Sequence, residues 1–237
     1  MRLPVLMYHK VEDIPTTDFL TISPAQLDAQ IKYLQANGYT SIGLSELNEH
    51  LHTGKLLPKK PILITFDDGY LNNYTNAYPL LVKYNFKAVI FLTTGFIGKT
   101  HPDHAYFSVE DIQKMDPNII EYGLHTVNHE SYTDLSVPDI QTDIEKTKRA
   151  LETFGIPYQS SIAYTFGAFP RKDPIKKNQV FNIMKNAGLQ SGFRIGNRIN
   201  KLPIKNPYLI QRIDVRPTDS LSKFKRMCRF GKKWLLF

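Results

Sequence analysis

The chain has 237 residues, 42% hydrophobic and 22% charged, with a net charge of +8. That length and balance suit one large domain spanning residues 1–237 and exclude disorder, fibrous repeats and coiled coil. The single cysteine, Cys228, rules out an intrachain disulfide and a cysteine-rich zinc site, and no apolar run reaches the ~18 residues of a membrane span.

From Met1-Arg2 the chain runs straight into Pro4-Val5-Leu6-Met7-Tyr8, too short and too polar for a signal peptide. The expectation is a protein that stays inside the cell or at the membrane surface, or an exported one whose leader lies outside this chain. Short apolar segments then alternate with amphipathic ones. Strands are expected at Val5–Tyr8, Pro61–Thr65, Ala88–Leu92, Ile119–Tyr122, Ser161–Tyr164, Leu189–Phe193 and Leu209–Ile213. Each is nearly continuous in β-branched and aromatic residues, as strands covered on both faces are.

Helices fall between them. Ser23-Pro24 caps and opens one that ends at Asn37-Gly38. Ser108-x-x-Asp111 resembles a capping box, with Asp in place of Glu or Gln. Ser136 caps a helix running through Leu151 to stop before Gly155, and another covers Asn178–Ala187. Repeated strand–helix units of this length predict a parallel sheet, closed as a seven- or eight-stranded (β/α) barrel or left open and doubly wound. No Gly-x-Gly-x-x-Gly follows a strand, which removes a dinucleotide role.

Residues 223–237 interleave six basic side chains with Phe224, Met227, Phe230, Trp234, Leu235 and Phe237 and contain no acid. One reading is a solvated last helix and tail. The other is a segment touching anionic membrane or anionic glycan. No nucleic-acid-binding motif accompanies the charge, so nucleic acid is not expected as a partner.

Three constellations follow predicted strands. In Thr65-Phe66-Asp67-Asp68-Gly69-Tyr70, adjacent carboxylates repel each other, and a cation would relieve the repulsion. An Asp-Gly turn would explain the tripeptide equally well. In His125-Thr126-Val127-Asn128-His129, the i, i+4 spacing puts both imidazoles on one face if a helix begins there. Two histidines, a carboxylate and water are a known catalytic metal set, and Asp68 can supply the carboxylate. In Ala163-Tyr164-Thr165-Phe166-Gly167, the Phe166 N–H can face an oxyanion, or the pair is simple turn chemistry.

Thr-Phe-Asp-Asp-Gly-Tyr together with His-Thr-x-x-His resembles the polysaccharide deacetylase family, carbohydrate esterase family four, from Leu6 to about Asp214. The resemblance implies a distorted (β/α) barrel with Asp67 as base. It also implies one divalent metal on Asp68, His125 and His129: zinc, with cobalt, nickel or ferrous iron as alternatives. Most of that family carries its acid histidine near the C-terminus, but here no histidine follows His129. The arrangement is closer to the branch that deacetylates poly-N-acetylglucosamine. There the acid corresponds to His9 of Leu6-Met7-Tyr8-His9, and Arg212 occupies the position that orients the base. Acid and base are expected on opposite sides of the metal. Arg212 has a competing structural partner in Asp214. Thr165 replaces the family's usual proline, which predicts looser presentation of Phe166.

His101-Pro102-Asp103-His104 is either a solvated loop, a substrate lid or an accessory ligand. The function implied is removal of N-acetyl groups from N-acetylglucosamine-containing glycans. A deacetylase of lipid- or nucleotide-linked sugar, an acetyl esterase and a non-catalytic sugar binder remain alternatives. The +8 charge favours an anionic substrate or surface.

Overall fold

The computed structural model describes residues 1–13 and 18–232. Seven parallel strands close into a barrel: β1 (Val5–Tyr8), β2 (Pro61–Asp68), β3 (Ala88–Leu92), β4 (Ile120–Leu124), β5 (Ser161–Ala163), β6 (Ser191–Ile195) and β7 (Ile210–Asp214). Each pairs with the next in sequence, and β7 returns to β1 to complete the ring. All seven expected strands are present. The short strand Thr40–Ser41 adds to the start of β2 outside the ring. The barrel is therefore closed, not an open doubly wound sheet.

The boundaries show one consequential difference. β2 runs three residues beyond Thr65, so Asp67 and Asp68 end the strand rather than follow it. The extension is held by pairing of Asp67 and Asp68 with Phe91 and Leu92 of β3.

Helices pack outside the ring: α1 (Pro24–Ala36), α2 (Leu44–Thr53), α3 (Tyr78–Tyr84), α4 (Val109–Gln113), α5 (Val137–Thr153), α6 (Pro174–Asn186) and α7 (Leu221–Phe230). Their starts follow the cap chemistry. Ser23, Ser108 and Ser136 accept from the backbone N–H three residues on, and Asp111 returns a bond to Ser108 N–H. The helix expected at Asn178 begins earlier, because Asp173 caps Lys176 N–H ahead of Pro174.

Inside the ring, Val5, Leu63, Val89, Phe91, Ala163, Phe193 and Ile210 fill the lumen. Asn48, Ser161 and Ser191 close its lower end with mutual hydrogen bonds. Burying each of the larger side chains contributes about 1.5–3 kcal/mol. The lumen is packed, so chemistry is confined to the C-terminal rim of the strands.

Helix α7 buries Phe224, Met227 and Cys228 in the core and leaves Lys225, Arg226 and Arg229 exposed. Leu221 and Phe230 at its two ends stay exposed. Lys233, Trp234, Leu235 and Phe237 of the basic, aromatic tail lie outside the described residues. Among the described residues no helix is long and apolar enough to cross a membrane.

Candidate active site

Alternation along β2 gives the two aspartates different surroundings. Successive side chains on a strand point to opposite faces, so Leu63, Thr65 and Asp67 face the lumen and Asp68 does not. Asp67 meets Arg212, which rises from β7: Nη1 lies 2.6 Å from Oδ1 and Nη2 2.8 Å from Oδ2. Both side chains are buried, and the guanidinium also lies 5.6 Å from the Phe91 ring centre. Burial alone would raise the Asp67 carboxyl. Arg212, with His125 and His9, outweighs it and holds the group below the usual carboxylate range. The alternative partner, Asp214, instead meets Arg216 at 2.7 Å.

Asp68 ends the strand with a φ of 74°, which aims its carboxylate at His125 and His129. Oδ1 is 3.3 Å from His125 Nε2 and 3.2 Å from His129 Nε2. Burial again opposes ionisation. Both imidazoles overcome it and hold Asp68 well below the ordinary range.

The two histidines do not start a helix, contrary to expectation. Residues 125–130 form a loop in which Thr126 and His129 both adopt left-handed backbone, φ 67° and 62°. The i, i+4 helical rationale is therefore wrong, although the convergence it predicted is present. His125 N–H donates to Leu92 O on β3, and Val127 N–H donates to the Asp143 carboxylate on α5. Tyr132 O–H donates to the other oxygen of Asp143, whose carboxyl burial pushes up. Nothing in the sequence pattern marks Asp143, because its role depends on where α5 docks.

His125 Nδ1 lies 2.8 Å from Ala163 O on β5. A carbonyl only accepts, so Nδ1 carries a proton, and Nε2 is the ring atom turned toward Asp68. The three ligand-type atoms lie within 4.8 Å of one another. Buried Asp68 Oδ1 has no well-aligned hydrogen-bond donor despite two close imidazole nitrogens. Two imidazoles and a carboxylate converging on one point are the donor set that a zinc-like ion takes. The residues fit a divalent metal.

His9 follows β1, with Nε2 3.9 Å from Asp67 Oδ2. The pair are neighbours rather than groups on opposite sides of the trio. Asn73 Nδ2 donates to the His9 carbonyl at 2.6 Å, which fixes where the strand releases it. Tyr8 takes no part. Its hydroxyl is buried against Gln30, and its ring stacks on Phe66.

Phe166 sits in a left-handed turn, φ 56° and ψ 11°, with its ring 4.6 Å from that of His129. The turn's two hydrogen bonds are donated by Gly167 and Ala168, which leaves the Phe166 amide unused by it. Thr165, where the family usually has proline, is anchored through its side chain. Its hydroxyl donates to Glu130 O at 2.7 Å, tying it to the residue after His129.

His101 and His104 flank the turn of a small antiparallel hairpin, Thr100–His101 with His104–Ala105. Neither belongs to the ligand trio. His104 Nε2 lies 3.0 Å from Tyr106 Oη, and its ring packs on Tyr70.

This architecture has known relatives. A family model described as polysaccharide deacetylase matches residues 54–192. A poly-β-1,6-N-acetyl-D-glucosamine N-deacetylase of Staphylococcus aureus (strain MSSA476) is 28% identical over 223 residues, 90% of this chain and 74% of that protein. YxkH of Bacillus subtilis (strain 168), a candidate polysaccharide deacetylase, is 31% identical over 168 residues, which span 71% of this chain and 58% of YxkH. Among solved structures, the Streptococcus pyogenes deacetylase PplD in complex with acetate superposes with a TM-score of 0.83. It covers 96% of this chain and 98% of its own, at 23% identity. The chain belongs to the polysaccharide deacetylase family.

Proposed function

We propose that the chain is a metal-dependent N-deacetylase of N-acetylglucosamine-containing glycans, of the poly-N-acetylglucosamine kind, releasing acetate and a free amino sugar. The observation that carries the reading is the Asp68, His125 and His129 trio beside an aspartate held by two hydrogen bonds to Arg212. The similarity to the Staphylococcus aureus enzyme supports the substrate class.

Asp68, His125 and His129 would hold a divalent ion, zinc before cobalt, nickel or ferrous iron, which would supply Lewis acidity to the acetamide carbonyl and to water. Asp67 removes the proton of the attacking water, and Arg212 keeps its carboxylate oriented and ionised. The Phe166 N–H donates to the oxygen on which charge develops. Losing one such donor costs typically about 3 kcal/mol of barrier. His9 gives a proton to the departing nitrogen, without which an amide leaves as an unstable anion. After turnover Asp67 holds a proton and His9 lacks one. Release of that proton to solvent and its uptake by His9 reset both.

The test is acetate release from a panel of N-acetylated oligosaccharides, a lipid-linked amino sugar and an activated acetyl ester, with zinc content measured in parallel. Acetate from the oligosaccharides is expected. Stoichiometric zinc with no acetate from any substrate would instead indicate a non-catalytic sugar binder. The exposed Lys225, Arg226 and Arg229 of α7 favour a second substrate reading, a sugar at an anionic lipid surface. That reading gains if the lipid-linked substrate alone is turned over.

A further inference from the structure

His9 lies one residue past β1, whose pairing with β2 ends at Tyr8 and Phe66. Beyond that point, among the described residues, no strand of the ring pairs with the chain. Lys10 and Glu12 turn their N–H groups to one edge, where they donate to Leu20 O and Ile22 O. Val11, fully buried, turns its own N–H and C=O to the other edge, where a missing partner would be costly. Side chains meet that edge in place of a strand. Asn72 Oδ1 accepts from Val11 N–H at 3.1 Å, and Asn76 Nδ2 donates to Val11 O at 2.7 Å. Between them, Asn73 Nδ2 donates to His9 O at 2.6 Å.

The three asparagines come from one wide turn ahead of α3. Residues Asn73–Ala77 are π-helical, with Tyr78 N–H donating to Asn73 O five residues back. Such turns are rare and recur at functional sites. Asn73 is 1% exposed, and its Oδ1 receives no hydrogen bond among the described residues. Burying an amide that is only half satisfied weakens a fold. Stability of the barrel therefore does not account for asparagine at this position, whereas its bond to His9 does. The His9 imidazole itself has no side-chain hydrogen bond among the described residues, and its approach to Asp67 Oδ2 is 3.9 Å. The ring is placed through its backbone.

We infer that Asn72, Asn73 and Asn76 are positioning residues for the general acid, and that through His9 they govern cleavage of the amide bond in particular. This rests on the deacetylase reading and adds which residues set its acid step. Proton delivery depends on where the donor stands relative to the departing nitrogen, and a displacement of about 1 Å can cost about 100-fold. An activated ester, whose leaving group departs without a proton, is insensitive to that placement.

The test compares kcat on an N-acetylglucosamine tetramer with kcat on an activated acetyl ester. Asn73→Leu and Asn76→Ala are measured alone and combined with His9→Ala. Leucine keeps the buried volume of Asn73 and removes its donor; should that variant not fold, Asn76→Ala carries the comparison. Zinc content and melting temperature establish that each protein is folded and loaded. Asn73→Leu is expected to lower kcat on the amide about 10- to 100-fold, with KM near that of the parent and most ester cleavage kept. With His9 already alanine, neither substitution lowers amide turnover further, because residues acting through one group do not add. Three outcomes overturn the inference: no loss on the amide, equal loss on amide and ester, or a loss in the His9→Ala background as large as in the parent. If the unsubstituted protein releases acetate from the amide in those cases, the deacetylase reading stands and only the positioning role falls. Absence of acetate release from the unsubstituted protein removes both.

Discussion

Arg212 and Asp67 meet as a planar pair at the mouth of the lumen, two nitrogens on two oxygens at 2.6 and 2.8 Å, with neither side chain exposed by more than 3%. A guanidinium matches a carboxylate at two points, whereas a lysine ammonium is a single point charge. Arg212→Lys therefore keeps the charge but frees the carboxylate to turn. Turnover is expected to fall roughly 10- to 100-fold, the range of one charged hydrogen bond, with zinc content intact. Arg212→Met leaves Asp67 buried and unpaired, and should destabilise the fold by about 3–5 kcal/mol in denaturant titration. A lysine variant with unaltered turnover would refute an orienting role.

Adjacent carboxylates with different partners should fail differently. Asp67→Asn removes the base but none of the three ligand atoms, so bound zinc is expected to persist while acetate release is lost. His125→Ala removes a ligand fixed by the 2.8 Å contact to Ala163 O and should lose both metal and activity. Chelation of the wild-type protein should abolish acetate release, and added zinc should restore it. Metal analysis alongside an acetate assay reads all three, and equal metal loss in both variants contradicts the division of labour.

His9 is assigned a step that only poor leaving groups need. His9→Ala should depress amide hydrolysis at least about 100-fold, within the usual range for a general acid. It should leave cleavage of an activated acetyl ester far less affected, because that leaving group departs without a proton. Parallel kcat measurements on the two substrates decide it, and equal losses on both would remove His9 as the acid.

Most of the scaffold was readable because buried parallel strands are written as continuous apolar runs, and all seven were found. The convergence of Asp68, His125 and His129 is also legible, although the helical reason for it is not correct. His125 and His129 converge through two left-handed residues in a loop, and no local signal distinguishes that from the first turn of a helix. The anchoring of Thr165 has no local signature, since its hydrogen bond to Glu130 O crosses 35 residues of sequence. Asp143 and Asn73 carry no local signal for the same reason. Each acts through a tertiary contact, with Val127 N–H and with the His9 carbonyl, that exists only once the helices are docked.

Cys228 offers a probe of the fold. Burial on the inner face of α7 pushes its thiol up to about 12, against about 8.5 in an unfolded chain. A group raised on folding contributes stability that is complete below the unfolded value and is lost as pH rises toward the folded one. Native protein at pH 9 should therefore react with iodoacetamide only as fast as it opens, since the thiolate is the reactive form. Denatured protein should react at once, and Cys228→Ala should lessen the loss of stability between about pH 8.5 and 12. Rapid alkylation of the native protein would show that α7 is not docked as described.

Gly167 separates what Phe166 does with its backbone from what it does with its ring. A Cβ on Gly167 would lie 2.2 Å from Ile195 Cγ1 and 2.6 Å from the Ile195 backbone nitrogen, at a φ of 62°. The side-chain atom can move, but the strand β6 nitrogen cannot, so Gly167→Ala must displace the turn and with it the Phe166 N–H. The expected result is a fall in kcat of about 100-fold or more, the loss typical of one oxyanion donor, with zinc retained. Phe166→Ala keeps the amide and the turn, so its effect should fall mainly on KM for oligosaccharides. Kinetics of the two variants on one tetrameric substrate test the separation. If Gly167→Ala raises only KM while zinc and melting temperature hold, the backbone of this turn does not stabilise the reacting oxygen.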